Sequence, residues 1–206
     1  MSKFIFVLLF SFSFSQLINF QVQAIDNFPS PYSSLVSPPE TPAVIINKPN
    51  NNKCPNKPKL LLIKDSEWCE IYDSTTKAIT EQGLSQKLGS EKALSIMLGL
   101  VFKESSFRKN VKGKAGEIGL TQIMPSTGQF ICQMKEKDLF KAENNLNCSA
   151  KYLNLLLSDN YFAGDLEKAL IAYNQGWGNV QKGIFFTEDI NYAKLIMNEY
   201  APKFLF

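Results

Sequence analysis

From Ser66 to Tyr200 the apolar residues recur at three-four spacing with few alternating β-branched runs, a period that commits the chain to packed α-helices rather than a sheet. Trp68, Ile71, Tyr72, Thr75, Ala78 and Ile79 mark a first helix, which Gly83 should stop. A second helix is expected after Ser90 as N-cap, with Glu91 in its first turn and a core stripe of Leu94, Met97, Leu98, Val101 and Phe102. Its last turn brings a carboxyl, Glu104, to the margin of that stripe. Residues 108–118, with Gly113 and Gly116, read as a loop or a small irregular hairpin. Pro125 suits the first turn of a third helix carrying Phe130, Ile131 and Met134. A fourth helix, 142–157, presents Leu146, Ala150, Leu153 and Leu157. Asp165 can cap a fifth, 166–173, that ends at Gly176 and Gly178, and a final helix runs over about 190–200. The fold class is all-α.

The first 24 residues open on Lys3, continue with an apolar run from Phe4 to Phe14 diluted by serines, and end on Val22-Gln-Ala24. This is the pattern of a secretory signal peptide, with an uncleaved membrane anchor as the alternative. Residues 25–59 hold most of the prolines and the run Asn50-Asn51-Asn52, and read as an extended linker. The folded domain is then 60–206. Removing 1–24 takes away one cation and no anion, so the formal charge falls from +3 to +2, which argues for no nucleic-acid partner. In an oxidising compartment Cys54, Cys69, Cys132 and Cys148 permit three complete pairings, of which the sequence-local one, Cys54 with Cys69 and Cys132 with Cys148, is expected. The chain has no histidine and no Cys-x-x-Cys pair, which argues against zinc; no cofactor or metal is expected. Without histidine there is no Ser-His-Asp or Cys-His arrangement, so acid-base chemistry falls to carboxylates, lysine or tyrosine. A carboxyl held against apolar surface loses hydration of its charged form and stays protonated nearer neutrality, as a general acid requires.

Glu104-Ser105-Ser106-Phe107, then the segment Gly116 to Thr127 containing Gly119-Leu-Thr-Gln122-Ile-Met-Pro-Ser-Thr127, then Asn145-Leu146 with Tyr152-Leu153, then Ala172-Tyr173-Asn174-Gln175-Gly176, occur in that order. Together they resemble the soluble lytic transglycosylase domain of the lysozyme-like superfamily, over about 60–200, with Tyr192 near that family's late tyrosine. Thr121 stands where methionine is commonest, Gly113 where many members have serine, and Glu117 where alanine is common. Glu117 is either a second carboxylate of the site or a solvated loop charge.

The resemblance implies a lysozyme-like fold and the cleavage of the β-1,4 bond between N-acetylmuramic acid and N-acetylglucosamine in peptidoglycan. Glu104 would be the catalytic acid, protonating the bridging oxygen, and then the base that takes the C6 hydroxyl proton as a 1,6-anhydro ring closes. Ser105, Gln122, Tyr173 and Asn174 are the expected substrate-binding residues. Ser105 either meets substrate or braces the helix end; Gln122 offers a donor and an acceptor to an amide or hydroxyl; Tyr173 would orient the N-acetyl group or Glu104; Asn174 holds the glycan or shapes the turn. A hydrolytic muramidase of the same fold and a catalytically silent glycan-binding or secretion-assembly module are the alternatives. The expected setting is a periplasmic, wall-associated monomer that acts on glycan strands, with a secretion, conjugation or flagellar machine as a possible partner.

Overall fold

The computed structural model describes residues 54–158 and 160–205. The expected signal peptide, and the expected linker up to residue 53, lie outside the described residues. Those described are mostly helical and form no strands, only isolated antiparallel bridges between Lys112 and Ile118 and between Ile118 and Ile123. The all-α expectation holds.

Helix α1, Asp65–Glu81, buries Trp68, Ile71, Thr75, Ala78 and Ile79 on one face, as its spacing requires, and packs on α5, Ala142–Leu156. A short helix α2, Leu84–Leu88, follows Gly83, and α3 is Ser90–Ser105. Ser90 is inside α3 rather than capping it: Gly89, at φ 80°, holds the cap position. The expected stripe on α3 is also too narrow. Seven consecutive residues, Ser95 to Val101, are buried, so α3 is a central helix with apolar neighbours all round. Its Gly99 makes this possible, because a Cβ there would lie 2.9 Å from the backbone nitrogen of Ala201. The C-terminal π turn Ile196–Tyr200 and 3-10 turn Ala201–Phe204 pack directly against α3.

Helix α4, Pro125–Phe130, begins at the expected proline but stops short of Met134. Gln133, at φ 57°, turns the chain, and Phe130 is exposed while Ile131 is buried. A 3-10 turn, Glu136–Phe140, leads into α5. Helix α6, Leu166–Gln175, is capped as expected, with the Asp165 carboxylate accepting from the Lys168 amide at 3.0 Å. It ends at Gly176, φ 90°, and a five-residue α7, Trp177–Gln181, follows where no helix is expected. The last α-helix, α8, is Thr187–Leu195, starting earlier than the sequence spacing suggests.

Both sequence-local disulfides form, Cys54–Cys69 and Cys132–Cys148. The first fastens residues 54–59 to α1, where the Trp68 indole also donates to the Pro55 carbonyl at 2.8 Å and the Lys57 ammonium to the Leu61 carbonyl at 2.9 Å. The second joins the segment after α4 to α5, beside buried Ile118, Ile123 and Leu139.

Candidate active site

Glu104 owes its position to the way α3 ends. Ser106 and Phe107 both take left-handed backbone, at φ 52° and 64°, a costly conformation for residues with side chains. Phe107 holds it by burying its ring among Trp68, Phe204 and Phe102, with centroids 5.8, 5.7 and 6.4 Å away. The Arg108 side chain donates to the Ser105 carbonyl at 2.9 Å, satisfying a terminal acceptor of the helix. The apolar residue three places after the acid thus acts as a stop, and the helix cannot run past the carboxyl.

Glu104 lies where two clefts meet. Lys103, Glu188, Asn191, Tyr192 and Leu195 line one with it; Gly113, Glu117, Gln122, Met124, Thr127, Tyr152 and Tyr173 line the other, and Asn174 belongs to both. Burial pushes the Glu104 carboxyl above its ordinary range, and the charge of Glu117 adds to this. A hydrogen bond from the Tyr192 hydroxyl to Glu104 Oε1 and the nearby Lys103 charge pull the other way without cancelling it. Tyr192 itself is pushed well above the usual phenol range, first by burial and then by the Glu104 charge, so it remains a donor.

The second cleft is walled by irregular chain. Ile118 and Ile123 exchange backbone hydrogen bonds of 2.9 and 3.0 Å, and Gly119 takes φ 76° between them. The fully engaged amide of Asn145 pins this wall: Oδ1 accepts from the Thr121 backbone at 2.9 Å and hydroxyl at 2.7 Å, while Nδ2 donates to the carbonyls of Ile118 at 2.8 Å and Leu139 at 3.0 Å. Thr121, buried and bonded to Asn145, therefore supports the wall from behind.

Of the expected substrate-binding residues, Gln122, Tyr173 and Asn174 share the second cleft with Glu104. Gln122 spends its amide nitrogen on the Gly119 carbonyl at 2.8 Å. Tyr173 donates its hydroxyl to the Thr121 carbonyl at 3.1 Å and lies 2.9 Å from the Ser149 hydroxyl, so its polar end braces the wall and its ring faces the cleft. Burial raises the Tyr173 pKa. Ser105 is not brought to the clefts: it is buried, and its hydroxyl donates back to the Val101 carbonyl at 3.2 Å. The hydroxyl that does reach Glu104 is that of Tyr192, noticed in the sequence only as a late tyrosine. Glu117 does face the cleft. Its Oε2 accepts from the Ala115 amide at 3.0 Å, and a Cβ at position 113 would fall 2.2 Å from it. The Gly113 and Glu117 departures are thus one feature, since the carboxylate fills the space a serine side chain would need. Among the described residues no group of three or more His, Cys, Asp or Glu could hold a metal.

The family model described as "Transglycosylase SLT domain" matches residues 83–195. The membrane-bound lytic murein transglycosylase C of Mannheimia succiniciproducens is 33% identical over 123 residues, covering 53% of this chain and 34% of the relative. Its counterpart in Actinobacillus succinogenes is 34% identical with the same coverage. The chain spans about a third of the length of these curated relatives. Among solved structures, an inactive mutant of the lytic transglycosylase Slt from Pseudomonas aeruginosa superposes with a TM-score of 0.52 at 21% identity, over 63% of this chain and 23% of that one, a likeness of the lysozyme-like fold. Since the family model takes in more than half of its residues, including Glu104 and both clefts, the chain belongs to the transglycosylase SLT domain family.

Proposed function

We propose that this chain is a peptidoglycan lytic transglycosylase, cleaving the β-1,4 bond between N-acetylmuramic acid and N-acetylglucosamine with Glu104 as sole acid and base. The observation that carries the reading is a buried carboxyl, its pKa raised by that burial, placed where two clefts meet, so that a strand lying through both would present a glycosidic oxygen to it. The names of its relatives, lytic murein transglycosylases, support the same substrate.

Glu104 donates its proton to the bridging oxygen as the C1–O bond breaks. The carbonyl oxygen of the sugar's own N-acetyl group attacks C1 and takes up the positive charge. The carboxylate left behind then removes the proton of the C6 hydroxyl. That oxygen displaces the N-acetyl carbonyl from C1, closing the 1,6-anhydro ring and returning Glu104 to its acid form. Tyr192 holds the carboxyl in place through both transfers, and Lys103 offsets the charge that appears between them. Gln122, Asn174 and the ring of Tyr173 are the groove's contacts to the glycan, while Ser105 braces the helix end beneath Glu104.

Glu117 favours a second reading, a hydrolytic muramidase, because it puts another carboxylate in the same cleft. Mass spectrometry of soluble products from purified peptidoglycan separates the two. Ends carrying 1,6-anhydro-N-acetylmuramic acid support the transglycosylase; reducing ends, heavier by one water, support the muramidase; no release from a folded protein overturns both. Export to the periplasm and attachment to the wall rest on the N-terminal sequence pattern. Among the described residues no helix is long and apolar enough to cross a membrane.

A further inference from the structure

Asp189 is a buried carboxylate that the scheme above does not use. Its exposure is 8%, and among the described residues no lysine or arginine pairs with it. Its side-chain partner is the Asn174 amide, whose Nδ2 donates to Asp189 Oδ1. A carboxylate accepts hydrogen bonds and does not donate them, so the amide can face it only with the nitrogen. The Asn174 oxygen is then turned away from Asp189, and among the described residues no donor reaches it. Asn174 is exposed and lines both clefts beside Glu104, which puts that oxygen at the disposal of a ligand. Asp189 also lies three residues before Tyr192, on the same face of α8. One turn of one helix therefore sets both the orientation of the acid and the polarity of its neighbour.

We infer that Asp189 is a positioning residue that locks the Asn174 amide with its oxygen toward the groove, so that the site beside Glu104 offers an acceptor to an N–H or O–H of an N-acetylated sugar. This rests on the glycan reading. An asparagine free to rotate would present donor and acceptor alike; the buried carboxylate removes the donor face. The specificity consequence is that a sugar bearing only an acceptor at this position is rejected, because two acceptors would be left without a proton between them.

The test is calorimetric titration of tri-N-acetylchitotriose into the full chain. Asp189→Asn keeps size and a hydrogen bond but lets the amide pair turn over, so about half of the molecules present the wrong face and binding should weaken about twofold. The exchange of both residues, Asp189→Asn with Asn174→Asp, restores a fixed pair, an amide at 189 donating to a carboxylate at 174 whose other oxygen accepts from the ligand. It should recover most of the loss, and it keeps the test open if the single variant folds poorly. A single variant that binds like the wild type overturns the inference, as does an exchanged variant no better than the single one. Failure of the wild type itself to bind overturns the glycan reading and this inference with it, so the two failures are told apart.

Discussion

The helix that carries Glu104 and the wall that faces it are built by opposite means. Helix α3 is surrounded by apolar contacts, is regular to its last turn, and is held by burial, with Gly99 an exacting position where the C-terminal turn approaches. Residues 106–124 have almost no repeating structure, five backbone reversals at positive φ (Ser106, Phe107, Gly116, Gly119 and Gln122), and a set of buried polar bonds converging on Asn145 and Tyr173. Apolar packing tolerates substitution of similar volume, whereas a buried polar bond allows no partial satisfaction. The acid is therefore carried on the tolerant part, and the surface that must fit a ligand is fixed by the exacting part.

The sharpest break between them should come from Glu104→Gln. Lytic activity falls by about 10²–10⁴ or more, the usual contribution of a positioned acid-base group, as read from the rate of product release. Because burial makes ionisation harder in the folded chain than in the unfolded one, Glu104 costs stability as pH rises from the ordinary carboxyl value through its own raised one. The same variant should therefore melt higher than the wild type at about pH 8 and equally at about pH 3, where the wild-type Glu104 is protonated in the folded and the unfolded chain alike. An equal melting temperature at the higher pH would mean that burial does not control this group.

Leu98→Ala in α3 should cost about 2–5 kcal/mol by chemical denaturation, and the whole domain should unfold as one transition with its site intact until then. Asn145→Ala should cost about 3 kcal/mol, by stranding the buried Thr121 amide and two carbonyls, and should differ in kind. Far-UV helical signal is retained while activity is lost. Activity surviving Asn145→Ala would show that the wall holds its shape by packing after all. Smallest are two shifts of opposite sign in the alkaline limb of the pH-rate profile. Glu117→Gln removes a charge that raises Glu104 and moves the limb to lower pH; Lys103→Met removes one that lowers it and moves the limb to higher pH. Shifts in the same direction would mean that neither charge acts on Glu104 as the geometry requires.

The same contrast governs what could be read from the amino-acid order. The helices were legible because burial repeats at their period, as in Trp68 to Ile79 and Leu146 to Leu157, and the stop after Glu104 could be expected from the motif. α3 was read as a stripe of Leu94, Met97, Leu98, Val101 and Phe102, yet Ser95, Ile96, Gly99 and Leu100 between them are buried as well. The five-residue helices α2 and α7 are too short to show a period. Ser105, next to the acid in sequence, is about 100° round the helix from it and so turns to the core. Tyr192 and Asp189 were missed as partners of Glu104 and Asn174 because a hydrogen bond across a fold leaves no spacing to count. Gly113 and Glu117 looked like two separate departures until the carboxylate was seen to occupy the glycine's empty side.

The bond from Tyr192 to Glu104 spans 88 positions in the chain, whereas the disulfides close over 15 and 16. Both covalent links can be made on local stretches of chain, but the acid acquires its orienting hydroxyl only once α8 has been synthesised and packed on α6, which brings Tyr192 to Glu104. Timing is thereby written into the connectivity. A growing polypeptide, or one cut anywhere between the two residues and separated, carries the carboxyl without the group that aims it, and the site is completed late, when the end of the domain packs into place.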